Sequence, residues 1–202
     1  MWLYGASGHG KVIKEILEAQ GRVVDGFIDD NPAVSELAGL PVMHTTEVAD
    51  EIIVSIGANA VRKNIVDGLN CKLARAAIHP TSIISPSATI EEGTVVMASA
   101  IVNADTKIGK HCIINTGATV DHECQVGDFV HIAPGAHLCG QVWVGEGTLI
   151  GVGSSVIPCV HIGKWCVIGA GAAVVEDVPD YATVVGVPAK VLHVDTLGHK
   201  NQ

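Results

Sequence analysis

From Ile78 to Val174 an aliphatic residue returns every six positions without a break. The first places of these hexads are Ile78, Ile84, Ile90, Val96, Val102, Ile108, Ile114, Val120, Val126, Ile132, Leu138, Val144, Ile150, Val156, Ile162, Ile168 and Val174. The fifth places hold mostly small or β-branched residues, among them Ala88, Thr94, Ala100, Cys112, Ala118, Cys124, Ser154 and Ala172. A period of six is neither the helical repeat nor the simple alternation of a strand. It fits a short strand, a turn and another short strand, with first and fifth places pointing inward and like residues stacking from coil to coil, which is a β-solenoid. Aromatic residues make up only 3% of the chain, which suits a narrow solenoid interior better than a two-layer core.

Glycine recurs at the fourth place (Gly93, Gly117, Gly135, Gly147, Gly153, Gly171) and at the second (Gly109, Gly127, Gly145, Gly151, Gly163, Gly169). Both sets are expected at turns, where a residue without Cβ adopts positive φ cheaply. The stretch resembles the hexapeptide-repeat acyltransferases. That resemblance implies an all-β left-handed parallel β-helix over residues 78–179, with three hexads to each triangular coil.

The formal net charge of −9 argues against nucleic acid or an anionic membrane as partner. No apolar run is long enough to span a bilayer, and Met1-Trp2-Leu3-Tyr4 lacks the charged start and apolar core of a secretory signal, so a cytoplasmic protein is expected. The six cysteines form neither CxxC pairs nor a compact framework. Cys112, Cys124 and Cys166 fall on inward fifth places and read as small core fillers.

Residues 1–77 read as a small α/β unit. Trp2-Leu3-Tyr4 is a strand ending in the turn Gly5-Ala6-Ser7-Gly8-His9-Gly10, and a helix follows with Val12, Ile13, Ile16 and Leu17 on one face and Gly21 as its stop. Further strands are expected at Val23 to Ile28, Ile52 to Ile56 and Leu73 to Ile78, with a second helix from Asn59 to Leu69. Strand, glycine turn, helix and strand, with Asp29 and Asp30 following, make a Rossmann-like half, although the G-x-x-G-x-G spacing is not the dinucleotide fingerprint. Amides at the helix start suit a phosphate, but the turn also reads as an ordinary strand-to-helix connection. Asp29 and Asp30 suit a ribose or base edge, or equally a solvated turn.

Tyr4-Gly5-Ala6-Ser7-Gly8-His9-Gly10, Phe27-Ile28-Asp29-Asp30 and Ser55-Ile56-Gly57 with Arg62-Lys63 resemble the N-terminal domain of PglD- and NeuD-type enzymes, which acylate amino sugars or sialic acids. The resemblance implies substrate-binding roles for Ser7, Gly8, His9, Asp29, Asp30 and Gly57, with residues 1–77 holding the nucleotide of a nucleotide-linked sugar. Gly186-Val187-Pro188-Ala189-Lys190 resembles the closing signature of hexapeptide transferases. It makes residues 180–202 a cap and tail, expected to fray beyond His193.

Within the repeats the unusual run is Asn115 to Cys124, with His131, His137 and Gly140 after it. His122 takes the third place of its hexad, an outward corner, and Glu123 lies beside it. A carboxylate next to an exposed imidazole fixes its tautomer and raises its basicity, as general-base chemistry requires. By the resemblance His122 is the base, Glu123 tunes it and Asn115 is a further active-site group. His131, Gly140, Val152 and Ala170 contact acetyl-CoA, the main chain near Gly140 stabilising the oxyanion. The same resemblance implies a homotrimer with the site between subunits and acetyl transfer from acetyl-CoA to a nucleotide-linked 4-amino sugar, with no metal.

Four other readings stay open on the sequence. Transfer to a sialic-acid hydroxyl is the NeuD alternative. A γ-class carbonic anhydrase shares the solenoid but needs three zinc-binding histidines, and His111, His122, His131, His137 and His161 include no pair one coil apart. Cys139 is a candidate acyl carrier for a ping-pong transferase, and a non-catalytic scaffold or nucleotide sensor is the last.

Overall fold

The computed structural model describes residues 1–195. Its N-terminal part is a six-stranded sheet built from β1 (Trp2–Tyr4), β2 (Gly26–Ile28), β3 (Glu36–Leu37), β4 (Leu40–Met43), β5 (Glu51–Val54) and β6 (Lys72–Leu73). The strand order is β3-β4-β2-β1-β5-β6, parallel throughout except for the β3/β4 hairpin. Helix α1 (Gly8–Ala19) follows β1 and α2 (Asn59–Gly68) follows β5.

Ile13, Ile16 and Leu17 of α1 are buried, at the i, i+3, i+4 spacing of one helical face. Val12, expected on that face, is 40% exposed, because it sits about 100° around the helix from Ile13. Gly21, at φ 71, ends the helix as expected. The second strand starts at Gly26 rather than Val23. The segment Leu73 to Ile78 splits into β6 and a separate Ala77–Ile78 pair that begins the solenoid. The β3/β4 hairpin was not legible, since two-residue Glu36–Leu37 carries no alternation to detect.

In the solenoid the sixth and first places of each hexad form a two-residue strand, and every strand pairs in parallel with the one eighteen residues on, as Val96↔Ile114 and Ile114↔Ile132 do. Three hexads thus make one triangular coil of a left-handed parallel β-helix. The first face runs from Ala77–Ile78 to Val167–Ile168, the second from Ile83–Ile84 to Ala173–Val174, and the third from Thr89–Ile90 to His161–Ile162. First-place aliphatics from Val96 onward and fifth-place residues such as Ala100, Cys112, Ala118 and Cys124 form one continuous core. Each fully buried Val, Ile or Leu contributes roughly 1.5–3 kcal/mol.

The two glycine places differ. Fourth-place residues from Gly93 to Gly171 all have positive φ, including non-glycines such as His111, Glu123, Phe129 and Gln141. Second-place glycines do not, which corrects the sequence reading. A Cβ there would strike the next coil, as at Gly109, where it would lie 2.8 Å from the main chain of Gly127. Close coil stacking, rather than turn geometry, excludes a side chain at that position.

Two contacts fix the N-terminal part on the solenoid. The outward residues Ala77, Val95 and Ile113 of the first face join Leu3, Ile13, Ile16 and Leu17 in one apolar cluster. At the corner between the third and first faces, fully buried Arg62 of α2 donates to five oxygens: those of His111 (2.8 Å), Ile56 (2.8 Å), Gly57 (3.1 Å), Phe129 (2.9 Å) and Asn59 Oδ1 (2.8 Å). Asn59 Nδ2 donates in turn to the Gly147 carbonyl at 3.0 Å.

After Pro179 the strand Ala182–Val185 adds a rung to the first face, and Lys190–Val194 closes that edge in antiparallel pairing. Order therefore runs past His193, to Asp195, whose N–H donates to the Tyr181 carbonyl. The expected fraying of residues 196–202 lies outside the described residues. Among the described residues no helix is long and apolar enough to cross a membrane.

Candidate active site

The corner between the second and third faces carries His122. Its imidazole is exposed, and its Nδ1 lies 3.1 Å from Glu123 Oε2. The main-chain N–H of His122 donates to Asp121 Oδ1 at 2.9 Å, and Asn103 Nδ2 donates to the same oxygen, which fixes the approach to the corner. Glu123 also accepts from Gln141 Nε2 at 3.0 Å. That bond first, and the one to His122 second, hold its carboxyl below the usual glutamate range. One coil on, the ring of His122 lies over Gly140: a Cβ at residue 140 would fall 2.5 Å from Cε1 and 2.6 Å from Nε2.

A second group gathers on the first face, where the column continues beyond α1 through His131, Leu149 and Val167. Asn115 Nδ2 lies 3.0 Å from His131 Nε2, while its Oδ1 accepts from the Thr116 N–H, which sets the amide's orientation. Burial pushes His131 down to about 4, Arg62 and His9 add to the effect, and a hydrogen bond to the Gly57 main chain opposes it. His9, from the first turn of α1, is likewise pushed to about 4 by burial and then by Arg62, and its Nε2 is buried without a partner. Both imidazoles are neutral at neutral pH. Beside them runs a groove of about 620 Å³, floored by Leu149 and Val167 and bordered by Gly57, His131, Val152 and Ala170.

At the glycine turn, Ser7 and Gly8 are exposed, and Ser7 caps α1 without a side-chain hydrogen bond. Asp29 uses one oxygen for the Ala6 N–H (2.8 Å) and the other for the Asn31 N–H (2.9 Å), so it braces the turn against the end of β2. Asp30 accepts from the Tyr4 hydroxyl at 2.7 Å, and burial, then that bond, raises the Tyr4 phenol to about 12.

The structure thus brings His131, Gly57, Val152 and Ala170 to one groove, with Asn115 and His9 close to His131 but outside the groove lining. It places His122, Glu123 and Gly140 on another corner, with the second face (Thr119, His137, Ser155) between the two groups. Sequence reasoning quoted Arg62 within the motif that carries the family resemblance but gave no role to it, to Asn59 or to Gln141. Gln141 was detectable as the residue one coil above Glu123, but nothing in the pattern around Arg62 marks it as buried. Cys112 and Cys124 are buried, with thiols pushed up to about 12 and about 11 by burial. Among the described residues no group of three or more His, Cys, Asp or Glu is arranged to hold a metal ion.

Residues 1–69 match the sequence profile of the PglD N-terminal domain, and residues 87–122 and 105–140 match that of the bacterial transferase hexapeptide. A perosamine N-acetyltransferase from Caulobacter crescentus, solved as a histidine-to-asparagine mutant with CoA and GDP-perosamine, is 38% identical. The match covers 95% of this chain and 96% of that one, with a TM-score of 0.91. The chain belongs to the PglD-type hexapeptide-repeat acetyltransferases. Within this family the acetyltransferase domain of PglB from Neisseria gonorrhoeae, solved with acetyl coenzyme A, is 40% identical over 95% of this chain and 98% of that one, with a TM-score of 0.88. UDP-N-acetylbacillosamine N-acetyltransferase of Bacillus subtilis is 42% identical over 108 residues, which span about half of each protein (48% of this chain, 50% of that one).

Proposed function

We propose that this acetyltransferase moves the acetyl group of acetyl-CoA to the amino group of a nucleotide-linked 4-amino sugar, with His122 as general base. The observation that carries the reading is the placement of His122: Nδ1 is held at 3.1 Å by a carboxylate while Nε2 stays directed over Gly140. A carboxylate on Nδ1 leaves the Nε2 lone pair free to take a proton. As the sugar nitrogen attacks the thioester carbonyl, Nε2 removes its proton. The C–N bond forms, the C–S bond breaks, and the imidazolium returns the proton to the departing CoA thiolate. The Gly140 N–H, without an acceptor among the described residues, suits the developing oxyanion.

His131, Val152 and Ala170, along the apolar groove, contact acetyl-CoA, and Asn115 fixes the ring of His131. Ser7, Gly8, His9 and Gly57 meet the nucleotide sugar. Asp29 and Asp30 shape that pocket by holding the glycine turn and Tyr4. On this reading residues 1–77 serve the sugar nucleotide, 78–179 the acetyl transfer, and 180–202 the cap. A homotrimer unites the two groups, since the second face separates His122 from the groove within one chain and a neighbouring copy supplies the missing half. Both co-substrates place the enzyme in the cytoplasm.

The test is thiol release from acetyl-CoA with a panel of UDP-, dTDP- and GDP-linked 4-amino sugars, and free sialic acid as contrast. Rapid release with one amino sugar, lost in His122→Ala, is the expected result. Wild-type turnover in His122→Ala overturns the base assignment, and release with sialic acid alone makes the chain an O-acetyltransferase.

A further inference from the structure

We infer that Gln141 is a positioning residue for acetyl transfer, holding Glu123 against His122. The inference rests on the reading of His122 as base. Glu123, Gln141 and Cys159 occupy the fourth places of three successive coils, so they stack in a column along one corner. Glu123 Oε2 accepts from both His122 Nδ1, at 3.1 Å, and Gln141 Nε2, at 3.0 Å. The Cys159 thiol donates to Gln141 Oε1 at 3.3 Å.

The column has only one self-consistent polarity. A carboxylate only accepts and a thiol is a weak donor, so the amide must turn its NH₂ to Glu123 and its oxygen to Cys159. Glu123 is half exposed, and a free glutamate there would visit several rotamers, in most of which its carboxylate leaves Nδ1. The second hydrogen bond removes that freedom. It also keeps Glu123 ionised to lower pH, and the Gln141 bond is the larger cause of that effect. Gln141 thus acts on the imidazole through Glu123 and need not touch substrate.

Residue 141 allows a clean test because its φ is 61°, a conformation that glycine adopts in this same hexad place at six other corners. Gln141→Gly therefore deletes the side chain while easing the backbone, so the fold is retained. Expected are an unchanged or raised melting temperature, a roughly tenfold loss of kcat and little change in either KM. Gln141→Glu sets two carboxylates in contact, which repel when both are ionised and share a proton when one is not. Its kcat relative to the native enzyme is expected to recover as pH falls from about 7 toward 5. Native kcat and an unaltered pH profile in both variants overturn the inference. His122→Ala is measured in parallel: if it is inactive while the Gln141 variants are normal, only the role of Gln141 fails, and if it is active, the base assignment itself fails.

Discussion

Gly140→Ala tests the geometry of the corner proposed for catalysis with a single methyl group. The native separation between a Cβ at this site and the His122 ring would be 2.5 Å, against about 3.5–4.0 Å for ordinary carbon contacts, so the ring must retreat by about 1 Å. Gly140 does not have positive φ, so alanine brings no backbone strain. The ring is exposed and swings outward at small cost to stability, but the movement pulls Nδ1 from Glu123 and Nε2 from its place over residue 140. A displacement of about 1 Å at a reacting group costs on the order of 100-fold in rate. The expected result is a kcat reduced about 100-fold with a melting temperature within about 2 °C of the native value. Steady-state thiol release and a thermal melt on the same preparation read both quantities. Native kcat would refute the reasoning, because His122 would then work equally well from a displaced position.

Two further predictions concern the junction of the N-terminal part and the solenoid. Arg62→Met removes a buried cation that satisfies five oxygens and is expected to cost about 3–5 kcal/mol, measured by urea denaturation; a loss below about 1 kcal/mol would mean the junction holds without it. His131 stays neutral in the folded chain down to about pH 4 but takes a proton near pH 6.5 when unfolded, so its burial subtracts stability as pH falls through that window and costs nothing above it. The gap of about 2.5 pH units corresponds to roughly 3 kcal/mol, so His131→Gln should gain up to that amount relative to the native chain between pH 7 and pH 4; a difference independent of pH would refute the buried neutral state.

The solenoid was legible because its signal repeats: a wrong residue in one hexad is outvoted by sixteen others. The outward corner position of His122 followed from its hexad place alone. Other features depend on what stacks above or against a residue. The second-place glycines were misread because their need for close coil approach is set by the next coil, eighteen residues away. Arg62 stood in a quoted motif, but its structural role was hidden because four of its five acceptors are main-chain oxygens from three separate segments, and no side-chain pattern marks a carbonyl. Asp29 and Asp30 carried two readings, and the structure gives each an internal partner, which no spacing rule supplies.

The left-handed corner residues give the enzyme a readable map of its own surfaces. Glycine is the favoured occupant there, and another residue costs roughly 1–2 kcal/mol. At the corner between the first and second faces, beside the groove, the series is Ser99, Gly117, Gly135, Gly153, Gly171, a nearly smooth edge against which another surface can lie. At the corner bearing His122 it is Asp105, Glu123, Gln141, Cys159, without one glycine. The third corner mixes Gly93 and Gly147 with His111, Phe129 and Trp165, so of the three edges the one bearing His122 carries the least glycine. In any chain of this architecture, the three interleaved eighteen-residue series of fourth places can be sorted the same way, and the edge poorest in glycine marks where to look first for chemistry.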